Sequence, residues 1–251
     1  MSGRARAAMG LVLAALVAAV PAGFAPPVET GEQARRVLLE AGQLASAPLP
    51  EPPGSPPAAV TVDVFPAEGG TRVVHEQAWS PFATVGGVVV LHPSARVERI
   101  GFHESNDEGA MELAVLPTAS APVTLSTRGR GTDARTAADV VVDPDVEIRA
   151  PVSGRVLRAG SYVLYCRHID HFVVIEPDDH PGWEVKLLHL AATRVRAGQR
   201  VEAGVTVLAP GPTRLPFASQ VEEGAARPAW PHVHVEVDDP SIPDLPGTGG
   251  C

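Results

Sequence analysis

The sequence predicts an all-β protein, built as a compact sandwich of short antiparallel strands. The chain contains 24 glycines and 26 prolines, which suit many turns between short strands. After Val60, short segments rich in valine alternate apolar and polar residues, and no ten-residue stretch shows a helical period. Hydrophobic residues make up 45% of the 251 residues, so the chain can bury a sizeable core.

The predicted strands fall into two groups. The first group forms an extra N-terminal β region over residues 60–127, with strands at 60–65, 71–77, 86–92, 96–104, 111–116 and 122–127. The second group forms the main β domain over residues 128–240, with strands at 139–142, 146–160, 162–169, 171–177, 183–190, 193–210 and 232–237.

Residues 1–25 are predicted to be a signal peptide. Two arginines precede an apolar run over residues 7–20, and small residues follow that would allow cleavage. An uncleaved membrane anchor is the alternative, but the run is short for a membrane span and Pro21 ends it. We therefore expect a secreted or cell-envelope protein that meets a membrane only through an uncleaved signal segment.

Two further segments are predicted to lie outside the strands. Residues 26–59 form a flexible leader, with six prolines between positions 44 and 59, and residues 241–251 form a C-terminal tail. In an exported protein Cys166 and Cys251 could pair and tie down this tail, or they could be two unrelated thiols.

The charge balance argues against nucleic acid as a partner. Acidic residues outnumber basic residues by 29 to 20, which gives a net charge of −9. Contacts to phosphate groups need clustered lysine and arginine, and this chain has a single lysine, Lys186.

Histidines near strand ends are the candidate site residues. His232 and His234 lie in an alternating segment, so their side chains share one strand face about 7 Å apart. Such a pair suits metal binding or acid/base chemistry, although alone it also fits the wet face of a strand. His189 ends another predicted strand, Leu187 to Leu190.

Two turn patterns accompany these histidines. Residues 150–156 (APVSGRV) form a strand-turn-strand unit, and residues 195–204 fit the pattern V-x-x-G-x-x-V-x-x-G. Glycine at such positions permits tight turns between short strands.

From about residue 128 to 238, these motifs resemble the lysostaphin/LytM-type zinc metallopeptidases, metallopeptidase family 23. That family has an A-P-x-x-G-x-V unit, a β-hairpin, a strand ending in H-L, the valine-glycine turn and a final H-x-H strand, in this order. The resemblance implies a sandwich related to the barrel-sandwich hybrid, one zinc ion, and cleavage of peptide bonds in peptidoglycan. It leaves open whether an activator protein is a second partner.

The resemblance also implies roles for individual residues. His234, the second histidine of H-x-H, would be a zinc ligand, and so would Asp139, eleven residues before the A-P unit. His189 and His232 would be catalytic residues beside the metal that activate water and stabilise the oxyanion.

The chain departs from the family at the remaining ligand. The family has histidine four residues before the aspartate, where this chain has Arg135, and arginine is not an ordinary zinc ligand. His103 could reach the metal from a neighbouring strand and complete the set with Asp139 and His234. Alternatively, His103 and Asp107 could form the H-x-x-x-D pair themselves, or the site could be degenerate and the protein a non-catalytic binding module.

Overall fold

A computed structural model describes residues 60–62, 71–77 and 79–244. The predicted signal peptide (1–25), the predicted leader (26–59), residues 245–251 of the tail and Cys251 lie outside the described residues. Every described element belongs to one compact unit within residues 55–251.

The described residues form fifteen β-strands and one short helix. The strands are β1 Val60–Val62, β2 Arg72–Glu76, β3 Pro81–Val85, β4 Val88–Leu91, β5 Arg96–His103, β6 Ala114–Val115, β7 Pro122–Thr124, β8 Ala137–Val142, β9 Ile148–Arg149, β10 Gly154–Leu164, β11 His168–Pro177, β12 Glu184–Leu190, β13 Arg200–Val201, β14 Val207–Ala209 and β15 His232–Asp238. The helix, α1, is Gln220–Glu223. The prediction of a mostly β protein with antiparallel sheets is confirmed.

One large sheet organises the molecule. It contains ten strands in the order β1-β2-β5-β8-β15-β12-β11-β10-β13, with β7 also paired to β5. The β5–β7 pair is parallel, unlike the predicted all-antiparallel arrangement, and the other pairs are antiparallel. Strand β5 comes from the first predicted group and β8 from the second, so both groups contribute to this sheet.

Two small sheets complete the described fold. The strands β4, β3 and β6 form one sheet, and β14 and β9 form the other. Apolar side chains from both join the core with one face of the large sheet, which buries residues such as Phe82, Leu208 and Val235. Alternation along β15 places its valines in this core and its histidines on the opposite face.

Several strands differ from the sequence prediction. The predicted strand 146–160 is divided into β9 and the start of β10, and the predicted strand 193–210 is divided into β13 and β14. The predicted strand 162–169 is instead the end of β10, a turn, and the start of β11, because Tyr165 and Cys166 adopt positive φ angles of 49° and 59°. Strand β3 (PFATV) was not predicted, since its proline and threonine weaken the apolar alternation. Within the described residues, no helix has both the length and the apolar character to cross a bilayer.

Candidate metal centre

Three neighbouring strands position the candidate metal ligands. Strand β8 lies between β5 and β15 in the large sheet. His234 on β15 pairs with Asp139 on β8, and Gly101 on β5 pairs with Asp139 from the other side. His103 pairs with Ala137, and residues two apart on a strand share a face. The register therefore brings His103, Asp139 and His234 to one face of the sheet.

The side chains of these three residues converge on one point. Asp139 Oδ1 lies 2.9 Å from His234 Nδ1 and 3.1 Å from His103 Nε2. One ligand atom from each residue lies within 4.8 Å of the others, and all three residues are buried. Donor atoms of a tetrahedral zinc site lie about 3.4 Å apart, given bonds of about 2.1 Å. This buried group could hold a metal ion.

The ring of His103 has one nitrogen satisfied and one nitrogen bare. Its Nδ1–H donates to the carbonyl oxygen of Glu104 at 2.7 Å, which leaves Nε2 with its lone pair. Nε2 is buried and makes no well-directed hydrogen bond within the part of the chain that the structure describes. Buried polar atoms are normally satisfied, so this nitrogen is available as a ligand atom for a metal ion.

Among these ligands, Asp139 and His234 favour each other's charged form. Burial acts against ionisation of Asp139, but His232, His103 and His234 outweigh it and hold the pKa of this carboxyl well below its usual range. Burial also acts to lower the pKa of His234, whereas hydrogen bonds to Asp139 and Glu236 raise it to about 10. A cation bound here would replace the proton on His234.

His189 reaches this site because its backbone leaves strand geometry. Its φ of 65° lies in the left-handed region, which is uncommon outside glycine. In a regular strand Leu188 and His189 would point to opposite faces, yet both line the cleft at the metal centre. The Nδ1–H of His189 donates to Asp170 Oδ2 at 2.7 Å, and its Nε2 has no hydrogen-bond partner among the described residues.

His232 is held in a similar way. Its Nδ1–H donates to Glu222 Oε1 at 2.7 Å, and its Nε2 lies 3.8 Å from Asp139 Oδ1. The other oxygen of Glu222 accepts the backbone N–H of Ser219 at the start of α1, so the helix start fixes this carboxylate. The rings of His189 and His232 lie 4.8 Å apart, edge to face. Both histidines therefore have one ring nitrogen bonded to a carboxylate, and both line the cleft at the candidate metal centre.

A cleft of about 360 Å³ opens over this centre. All five predicted site residues line it: His103, Asp139, His189, His232 and His234. Its other walls include two arginines and three aromatic rings: Arg128, Arg130, Tyr162, Tyr165 and Phe217. The centre is therefore open to a ligand on one side.

A second group of acidic residues lies next to His234, because one of its members, Glu236, bonds to the ring of His234. Asp107, Glu236 and Asp238 could also hold a cation by their spacing. The ammonium group of Lys186 already fills that role, because its Nζ lies 2.7 Å from Asp238 and 3.3 Å from Glu236 and also pairs with Asp107. The carboxylate of Asp107 is thus bound to lysine, whereas His103 faces Asp139.

Arg135, at the position where the family has histidine, lies outside the cleft. Its guanidinium forms an exposed ion pair with Glu112 at 2.6 Å. His103 on β5 occupies the place beside Asp139 instead.

Sequence reasoning missed three carboxylates that hold the histidines. Glu236 accepts from His234 Nε2 at 3.2 Å, and strand alternation two residues after His234 could have indicated it. Glu222 follows Ser219 in the S-x-x-E pattern of a helix start, which is a weaker signal. No sequence signal pointed to Asp170, because its link to His189 depends on how β11 and β12 pair.

No protein-family model, curated protein or solved structure matches this chain.

Proposed function

We propose that this protein is an exported zinc metallopeptidase that cleaves peptide bonds in cell-wall peptidoglycan. In this proposal the fold is a lysostaphin/LytM-like sandwich, and His103 on β5 replaces the family's ligand at position 135. Peptidoglycan peptide is the proposed partner, and secretion follows from the predicted signal peptide.

One observation carries the proposal: two carboxylate-bound histidines lie beside a three-donor group in one cleft. Two imidazoles and a carboxylate are a ligand set that catalytic zinc sites use, with a fourth position open. A site built only to bind metal would not need His189 and His232, each held by its own buried carboxylate. Their placement favours an enzyme over a binding module.

The donor set fits zinc in number, type and burial. His103 Nε2, Asp139 Oδ1 and His234 Nδ1 would hold the ion, and Glu236 would fix the ring of His234 through Nε2. A zinc ion so placed supplies Lewis acidity, which lowers the pKa of water towards 7 and polarises a scissile carbonyl.

The other two histidines, His189 and His232, would transfer protons and stabilise the negative charge that develops on the substrate. Asp170 and Glu222 each accept an Nδ1–H, so Nε2 of His189 and of His232 is the nitrogen left to act in the cleft. Burial lowers the pKa of His189 despite its bond to Asp170, so this ring is neutral at pH 7 and can accept a proton. A protonated Nε2 on either ring can donate a hydrogen bond to a developing oxyanion.

Zinc content and turnover, measured in the same preparations, test the proposal. We expect about one zinc per chain by elemental analysis and release of soluble fragments from purified peptidoglycan. His234→Ala should lose both zinc and activity because the ion then keeps two ligands. His189→Ala should keep zinc and lose activity by about 100-fold or more.

His180→Ala is a matched control, because this histidine stacks on Trp183 and does not line the cleft. It should behave like the parent in both measurements. A parent protein that binds zinc but leaves peptidoglycan intact would contradict the enzyme and favour the binding module. A parent that binds no zinc would contradict the metal centre itself.

A further inference from the structure

Arg130 is a half-buried cation in the cleft that lacks a carboxylate partner. No acidic side chain among the described residues forms an ion pair with its guanidinium. Arginines removed from water are normally paired, because an unpaired buried charge is costly. Of the buried or half-buried arginines on β2 and β5, Arg72 and Arg96 each pair with a carboxylate, whereas Arg99 donates to the backbone carbonyl oxygen of Gly224.

The free donors of Arg130 lie on the edge that matches a carboxylate. Its Nη1 donates to the carbonyl oxygen of Glu104 at 2.8 Å and lies 3.5 Å from His103 Nδ1. Its Nε and Nη2 have no hydrogen-bond partner among the described residues. These two N–H groups point in parallel along one side of the guanidinium and form the two-pronged fork that binds carboxylates.

The loop that carries Arg130 is fixed before any ligand arrives. Glu104 Oε2 accepts the backbone N–H groups of Arg128 and Arg130 at 3.1 and 3.0 Å, and Glu104 Oε1 accepts from Thr127. Glu104 directly follows the candidate ligand His103, so loop and metal centre share one anchor. A preorganised donor loses little conformational entropy when it binds.

We propose that Arg130 anchors a carboxylate-binding subsite, so that the substrate peptide carries a carboxyl group close to the bond that is cut. That the bound peptide is a substrate rests on the proposed function, whereas the subsite itself requires only that Arg130 binds a carboxylate. The ring of His103 lies between the Arg130 guanidinium and the candidate metal centre, so the two are separated by the width of one imidazole. Because an extended peptide advances about 3.3 Å per residue, we place the bound carboxylate within one or two residues of the scissile bond.

Peptide binding to the zinc-free protein tests the subsite without any turnover. Acetyl-Ala-Glu-Ala-amide and acetyl-Ala-Gln-Ala-amide differ only in one carboxylate, and their dissociation constants can be measured by NMR titration at low salt. We expect the parent to favour the acidic peptide by about tenfold, as for one charge-assisted hydrogen-bond pair. Arg130→Gln should abolish this preference.

Two further variants separate the fork from general charge. Arg130→Lys keeps the cation but loses the paired donors, so it should retain only a small part of the preference. Arg196→Gln removes the same charge from an exposed position outside the cleft and should leave the preference intact. Equal binding of both peptides by the parent, no measurable binding of either, or an unchanged preference in Arg130→Gln would overturn the subsite.

Peptidoglycan with and without chemical amidation of its carboxyl groups links the subsite to the proposed function. Zinc-loaded parent should cleave the untreated material about tenfold faster, and Arg130→Gln should cleave both forms at similar rates. Equal cleavage of both forms by the parent would remove the subsite and leave the peptidase standing. If the parent prefers the acidic peptide but cleaves neither form of peptidoglycan, the subsite remains and the proposed peptidase activity is contradicted.

Discussion

At the scale of single residues, hydrogen-bond acceptors hold one ring nitrogen of each histidine in the candidate site. Asp170, Glu222 and Glu236 each accept one imidazole N–H, and the backbone carbonyl of Glu104 does the same for His103. A fixed hydrogen bond sets both the tautomer and the ring orientation, which a free imidazole would lose to rotation. The orientation of the four histidines therefore depends on residues outside the candidate ligand set.

We expect Asp170→Asn and Glu222→Gln to lower activity by roughly 10- to 100-fold while zinc content stays near one per chain. An amide in place of the carboxylate can offer its N–H to the ring and favour the wrong tautomer of His189 or His232. Peptidoglycan hydrolysis and elemental analysis check the two quantities. Glu176→Gln, which changes an ion pair with Arg155 outside the cleft, is the control.

If Asp170→Asn and Glu222→Gln hydrolyse peptidoglycan at the parent rate, His189 and His232 do not act through defined tautomers. A loss of zinc in either variant would instead make its carboxylate part of the metal centre's support.

The sequence could predict that His232 and His234 share a strand face, but not which residues bond to the histidines of the candidate site. Alternation in the H-x-H segment placed His232 and His234 on one face, and local patterns suffice for that inference. The partnership of His103 with Asp139 depends on β5 lying beside β8, which is a long-range fact. The turn of His189 into the cleft depends on a positive φ that its H-L motif does not encode.

At the scale of elements, close packing of two strands explains why glycine occupies its position in the A-P-x-x-G-x-V unit. Gly154 begins β10 and packs so closely on β11 that a Cβ atom there would lie 2.1 Å from the backbone oxygen of Glu176. Backbone cannot give way as a flexible side chain can, so any larger residue must push β10 and β11 apart. The motif thus marks a point of close strand contact.

Gly154→Ala should lower the free energy of unfolding by about 1–3 kcal/mol, the usual cost of overpacking. Gly160→Ala in the same strand is a matched control, because its Cβ would meet only Phe172 at 3.8 Å. That control should change stability by less than about 0.5 kcal/mol. Urea unfolding followed by circular dichroism measures both, and equal stability of the two variants would refute the steric account.

At the scale of the whole molecule, a buried neutral histidine ties stability to pH. His92 is fully buried, its Nδ1–H donates to the Ser80 carbonyl at 2.7 Å, and its Nε2 accepts from the Ser120 hydroxyl at 3.0 Å. Burial is the main reason that the pKa of His92 falls from 6.5 to about 4. A proton on Nε2 would also break the bond from Ser120.

Because the folded pKa of His92 lies below the unfolded one, the unfolded chain binds the proton first as the pH falls. Its contribution to stability is therefore complete above pH 6.5 and is lost between pH 6.5 and about 4. We expect a slope of at most about 1.4 kcal/mol per pH unit from this residue. In His92→Gln the free energy of unfolding should fall less steeply across the same window.

Urea unfolding of parent and His92→Gln at several pH values gives the two slopes. Identical slopes would mean that His92 does not titrate on unfolding. A lower stability of the variant at pH 7 is expected from lost packing and does not affect the comparison of slopes.

Because His103 lies on β5, the position at which the chain is shortened decides whether all three candidate ligands are kept. A shortened protein that starts at residue 128 would keep the H-x-H strand, Asp139 and the glycine turns, and would look complete by its motifs. It would nevertheless lack His103 and the strand that flanks β8, and would keep only two of the three candidate metal ligands. Any attempt to produce the smallest working portion of this molecule must therefore begin upstream of Arg96.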